Sequence, residues 1–231
     1  MPKLIINLDL EKLESVVPYD HQYAMYSSIL QAIDSYDPTL ASEIHDKNAI
    51  PQFTMSQLIP AGKRQFLPEG IKARRFVLMI ISTNDKIINS CQKSLQEYKK
   101  LSIEETKLVY HSSRIVEVRI PPEIPELVSR SPIILKSGKE YISFGDDTFL
   151  DILKSNILGK VKAIHNSSDY KISFIRILDG RKKAFTIHSA KVSCSIIRFI
   201  IDADRVVLET IMNYGIGSKT QMGFGMVEVK Q

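Results

Sequence analysis

The chain has 231 residues, 44% of them hydrophobic and 25% charged, which describes a folded protein with a core of its own and excludes a disordered tail. Its formal charge is +5, and no apolar run is long enough to span a bilayer: residues 76–81 and residues 196–201, the latter broken by Arg198, are the longest. The N-terminus alternates like a strand and does not read as a signal peptide, while Cys91 and Cys194 are isolated and suggest neither a disulfide nor a zinc site. A cytoplasmic protein without a cofactor is expected.

In chain order, residues 3–8 alternate apolar and polar as a strand does. Residues 21–33 follow with Met25, Ile29, Ala32 and Ile33 at helical spacing. Asp37-Pro38 opens a short second helix that ends at His45. Residues 53–59 and 75–82 read as strands, Asn84 caps a helix carrying Ile87, Ile88, Cys91 and Leu95 on one face, and residues 108–120 return as a strand. Three prolines within residues 121–125 form a stiff linker. The pattern then repeats: a strand at 133–135, a helix at 147–158, strands at 170–177 and 183–201 with a break near Ser189, a helix capped by Asp202, and a strand at 224–229. The prediction is an α+β protein of two tandem ferredoxin-like βαββαβ domains, residues 1–120 and 126–231, joined by the linker 121–125.

Charge is uneven between the halves. Residues 1–115 hold 14 Lys/Arg against 13 Asp/Glu, and residues 116–231 hold 17 against 13. Lys160 and Lys162 form one basic cluster and Arg181, Lys182 and Lys183 another, which suits a polyanion modestly. The densest signal lies in the last seventeen residues before Gln231, where four of the 10 glycines fall: Gly215, Gly217, Gly223 and Gly225. Two Gly-apolar-Gly steps flank five residues that include Lys219. Glycines let a backbone approach a partner closely and aim its N–H groups at phosphates. Neither a P-loop nor a Rossmann fingerprint fits, because Ser218 precedes Lys219-Thr220 and Thr220 stands where a third glycine would be. A glycine-rich hairpin before a terminal strand is the plain structural alternative. The RNP1 aromatics of RNA-recognition modules are missing, so base stacking on a sheet face is not supported, and any binding is expected at the glycine loop and the cleft between the halves.

This C-terminal Gly-apolar-Gly, five residues, Gly-apolar-Gly pattern resembles the RAMP superfamily of CRISPR-associated RNA-binding proteins. The run Val17-Pro18-Tyr19-Asp20-His21-Gln22-Tyr23, with Leu40-Ala41, Ile44-His45 and Phe53-Thr54 after it and Ser131-Pro132-Ile133 opening the second half, resembles its repeat-cleaving endoribonuclease branch, the sixth Cas family. The resemblance implies a metal-independent endoribonuclease that cuts CRISPR precursor transcripts into guide RNAs, with repeat RNA as partner and effector-complex subunits as further ones. The RNA's own 2′-hydroxyl would attack the neighbouring phosphate, leaving a 2′,3′-cyclic phosphate and a 5′-hydroxyl. The resemblance also places His45 at the family's catalytic histidine; from the residue alone, a helix C-terminal histidine interacting with the last carbonyls is the favoured reading. Of the other histidines, His21 matches a family position but sits at a helix start, His111 and His188 fall in strands, and His165 neighbours the Lys160/Lys162 cluster. The family's tyrosine and lysine positions hold Leu30 and Pro51 here. Tyr23 or Tyr26, on the same helix face as Leu30, and Lys47 are the substitutes. The expected catalytic set is His45, Tyr26 and Lys47. The expected RNA-binding set is Gly215, Gly217, Lys219, Gly223, Gly225, Lys160, Lys162, Arg181 and Lys182. A non-catalytic RAMP subunit that holds repeat RNA is the second reading, and a tandem ferredoxin-like adaptor for proteins the third.

Overall fold

A computed structural model describes residues 1–45, 52–187 and 190–230. It divides into two compact units, one comprising Met1–Val118 with Gln221–Gly223 and the other Arg119–Thr220 with Phe224–Gln231.

The first unit runs β1 (Pro2–Leu10), α1 (Gln22–Tyr36), α2 (Pro38–His45), β2 (Ile59–Leu67), β3 (Gly70–Ile81), α3 (Asp85–Tyr98) and β4 (Thr106–Glu117). Its antiparallel sheet has the order β2–β3–β1–β4, with Leu4 opposite Ile80 and Leu8 opposite Phe76. Because strand side chains alternate, this register puts Leu4, Ile6 and Leu8 on the same face as Phe76, Leu78 and Ile80. They form one buried cluster with Met25, Ile29 and Ile33 of α1 and Ile87, Ile88, Cys91 and Leu95 of α3. The Asn84 side chain accepts a hydrogen bond from Lys86 N, the expected cap.

The second unit repeats the order: β5 (Glu126–Ser129), α4 (Phe149–His165), β6 (Ile172–Ile187), β7 (Ala190–Ala203), α5 (Arg205–Tyr214) and β8 (Val227–Val229), with the sheet β6–β7–β5–β8. Both units thus have the 2-3-1-4 strand order of a ferredoxin-like βαββαβ fold. Both cysteines are free and buried, and burial pushes the Cys91 thiol up to about 12. Among the described residues no helix is long and apolar enough to cross a membrane.

Several elements depart from the sequence reading. Of residues 53–58, only Thr54–Met55 pair as a strand; the second strand of the first unit is Ile59–Leu67, hidden by Pro60, Gly62 and the Lys63-Arg64 pair. Residues 133–135 are not the opening strand of the second unit. Ile133 makes a single bridge to Ser195, and Glu126–Ser129 takes the role, with Leu127 and Ser129 buried. The expected strand at 183–201 divides between β6 and β7, which pair along nearly their whole length. Asp202 lies in β7, and Asp204 stands at the N-cap of α5.

Candidate nucleic-acid interface and active site

Helix spacing gathers the first set of residues. Tyr23, Ser27, Leu30, Gln31 and Asp34 recur along one face of α1, and with Ala41, Ser42, Glu43 and His45 of α2 they line a groove of about 810 Å³ within the first unit. His45 is the last residue of α2 and is exposed. Tyr26 is buried, with its ring stacked on Phe53 at 6.3 Å between centroids. Desolvation, with Tyr23 adding to it, raises the Tyr26 pKa, so its hydroxyl keeps its proton at neutral pH and is a donor. Leu30 is partly buried and packs on the core of the unit. Lys47, the third residue of the expected catalytic set, and Pro51 lie outside the described residues, as does His188. Ser27, Gln31, Asp34 and Glu43 were not anticipated as groove residues, although the i, i+4 steps on α1 from Tyr23 to Ser27 and Gln31, and the i, i+3 step on to Asp34, carry the signal for the first three.

The other described histidines have structural partners. His21 Nε2 accepts from Leu58 N at 2.9 Å, so its Nδ1–H donates to Pro18 O at 2.8 Å. That fixes a buried, neutral imidazole in one tautomer, and no cap hydrogen bond is made to α1. His165 Nε2 meets Thr210 Oγ1 at 2.9 Å, and Thr210 donates its own proton to Val206 O, so the imidazole is the donor there. His111 Nδ1 lies 3.4 Å from Asp9.

The glycine loop corrects one expectation. Five of its N–H groups are turned inward: Gly215 N donates to Ile211 O, Ile216 N to Gly225 O, Gly217 N to Asn156 Oδ1 at 2.8 Å, Ser218 N to Ile134 O, and Gly225 N to Pro132 O. Gly215, Gly217, Gly223 and Gly225 are all buried. Gly217 has φ +83° and Gly225 φ +71°, and a Cβ on either would overlap a carbonyl oxygen, Ile134 O or Ile216 O respectively. At Gly223 a Cβ would press on Gln22 and Met55 at 3.1 and 3.2 Å. Gly217 and Gly225 therefore serve close backbone packing. Lys219, itself at φ +58°, is exposed within the loop. Thr220 Oγ1 and Gln221 Nε2 are buried and lack a partner among the described residues.

Lys160 is a second correction. Its ammonium donates to three carbonyls of the loop, Gly215 O at 2.8 Å and Tyr214 O and Gly217 O at 3.2 Å each. Burial pulls its pKa from 10.5 to about 8, and the three acceptors favour the charged form. It is an internal staple, not a cation offered to phosphate. The residue lies on the apolar stripe of α4, three residues after Ile157, and that spacing is the signal the cluster reading missed. Lys162, two residues on, is exposed. Arg181 and Lys182 are exposed on β6, and Lys182 stands 3.7 Å from Asp146. Among the described residues no group of three His, Cys, Asp or Glu is arranged to hold a metal ion.

Two ferredoxin-like units, with a glycine-rich loop before the terminal strand, place the chain in the class of tandem ferredoxin-like α+β proteins. Comparison with known families narrows it. Residues 16–114 match the family model for the CRISPR-associated protein Cas6, N-terminal, and residues 121–229 that for the CRISPR associated protein Cas6, C-terminal. The chain is 30% identical over 225 residues to a Methanocaldococcus jannaschii protein named CRISPR-associated endoribonuclease Cas6 1, covering 92% of this chain and 87% of that one. It is 23% identical to a Pyrococcus horikoshii protein named putative CRISPR-associated endoribonuclease-like protein Cas6nc, over 93% of each chain. A solved structure described as CRISPR associated protein Cas6 superposes with a TM-score of 0.84 at 27% identity, over 100% of this chain and 99% of that one. The chain belongs to the Cas6 family of CRISPR repeat-processing proteins.

Proposed function

We propose that the protein is an endoribonuclease that binds CRISPR repeat RNA and cuts precursor transcripts into guide RNAs, without a metal ion, by attack of the RNA's own 2′-hydroxyl. The observation that carries the reading is the groove in which exposed His45 and the hydroxyl-bearing Tyr26 and Tyr23 share a lining, in a chain of the Cas6 family. His45 exchanges a proton with the 2′-hydroxyl or with the leaving 5′-oxygen, since imidazole does either near neutral pH. Tyr26, held protonated by burial, donates to the leaving oxygen or to the phosphorane. Lys47, two residues after His45 in the sequence, supplies charge. The products are a 2′,3′-cyclic phosphate and a 5′-hydroxyl, and effector-complex subunits receive the guide RNA. Lys219 of the glycine loop, with Lys162, Arg181 and Lys182, contacts the RNA backbone.

One observation favours a second reading, a non-catalytic RAMP subunit that holds repeat RNA. Leu30 lines the groove, and its side chain cannot move a proton. Incubating the protein with end-labelled repeat RNA in excess chelator separates the two. The expected outcome is a single discrete cut with a cyclic phosphate upstream. Tight binding with no cut over hours makes the protein the binder.

A further inference from the structure

The hairpin of β2 and β3 in the first unit carries a second concentration of positive charge. Gly62, at φ +77°, lies in a register shift between Ala61 and Arg64, where Gly62 and Lys63 together face Arg74. Gln65 then stands directly opposite Lys72. Directly paired residues share a face, and so do residues two apart on a strand, so Lys63, Gln65, Lys72 and Arg74 form a two-by-two block of hydrogen-bond donors. These side chains, with Leu13, Arg64 and Ala73, line a shallow groove of about 420 Å³ that contains four cations and no carboxylate. None of the four makes an ion pair among the described residues, and the nearby Asp9 carboxylate is already bound to Arg75 at 2.8 Å. On the other face of the same strand, Arg64 sits over the ring of Phe66 at 6.0 Å, and Phe66 is 65% exposed.

We infer that this hairpin is a second RNA-contact site, which grips the phosphates of a single-stranded stretch with Lys63, Lys72 and Arg74 and stacks a base on Phe66. Three features of the hairpin select that ligand. Cations two apart on a strand are about 7 Å from one another, a separation comparable to that of successive phosphates in an extended strand. The cationic face offers only donors to the backbone, the requirement for a polyanion, and the hairpin's other face carries an aromatic ring for a base. The hairpin is at the edge of the sheet, with β2 outermost, so a strand can cross from the cationic face to Phe66. A double helix keeps its bases stacked inside and gives Phe66 nothing to hold. The inference rests on the RNA-binding reading above and extends it to a part of the chain outside both the His45 groove and the glycine loop.

The test measures affinity for a labelled CRISPR repeat transcript and for a short oligouridylate, across a salt series, with the full-length protein. Replacing Lys63, Lys72 and Arg74 together by alanine is expected to weaken repeat binding tenfold to a hundredfold near 0.1 M salt. The slope of log affinity against log salt should fall by about 2, three single-strand phosphate contacts at ~0.7 each. Phe66→Ala should weaken oligouridylate binding by roughly fivefold to a hundredfold, the range for losing one stacked base, and leave the salt slope unchanged. Each substituted side chain is at least partly exposed, so unfolding midpoints should stay near that of the wild type; were the triple variant misfolded, Phe66→Ala and single Lys63→Glu still give the reading. If the wild type binds repeat RNA and these variants bind it equally well, the hairpin site is overturned and the Cas6 reading stands. If the wild type does not bind repeat RNA at all, both fall. An equal loss of affinity for duplex DNA would overturn the assignment to a single strand.

Discussion

Two lysines two residues apart on α4 illustrate how little residue type says about role. Lys162 is exposed, whereas Lys160 is spent on three backbone carbonyls. Burial lowers the folded pKa of Lys160 to about 8, while the unfolded chain keeps its proton to about 10.5. Between those values the unfolded state binds more protons, so the contribution of Lys160 to stability rises with pH. Urea midpoints of wild type and Lys160→Met should therefore diverge in favour of the wild type between about pH 8 and pH 10.5; a difference independent of pH would show that the ammonium is not desolvated. His45 is tested by rate. A positioned acid or base contributes ~10²–10⁴-fold, so His45→Ala should slow single-turnover cleavage by about that factor with little change in affinity. Cleavage at the wild-type rate would move the catalytic role to Tyr23 or Tyr26.

Among the elements, those legible in the sequence were the ones whose apolar period is uninterrupted. β1, α1, α2, α3 and its Asn84 cap all follow from spacing and capping alone. β2 did not, because Gly62 and the polar run from Lys63 to Gln65 erase the alternation on a strand that is mostly exposed. β5 was hidden by the prolines before it. In the candidate site, the sharing of one face by Tyr23, Tyr26 and Leu30 could be read from helical spacing. The placement of the glycine loop could not, since it depends on Asn156 and Lys160, some sixty residues upstream. That loop is a packed element, and its cost of change is correspondingly high. Gly217→Val would combine a strained φ with a collision against Ile134 O, effects worth roughly 1–3 kcal/mol each. A loss of about 2–4 kcal/mol is expected in a urea titration, and an unchanged midpoint would return the loop to the surface role first read from its sequence.

For the whole molecule the decisive question is whether binding leads to chemistry, and the substrate can answer it with the protein unaltered. In the proposed mechanism the attacking group belongs to the RNA, so the protein's task is to hold the 2′-oxygen in line with the 5′-leaving oxygen and to move two protons. One 2′-deoxy nucleotide immediately upstream of the cut removes the nucleophile and nothing else. Phosphate contacts, which supply most of the affinity of such a protein, are untouched. The repeat carrying that single substitution should bind with nearly the wild-type constant and remain uncut, in chelator or with magnesium added. A deoxy substrate that is still cut requires an external water as nucleophile, and cleavage that appears only with magnesium requires a metal to activate it. Either result removes the roles given to His45 and Tyr26 while leaving the Cas6 fold and its RNA binding intact.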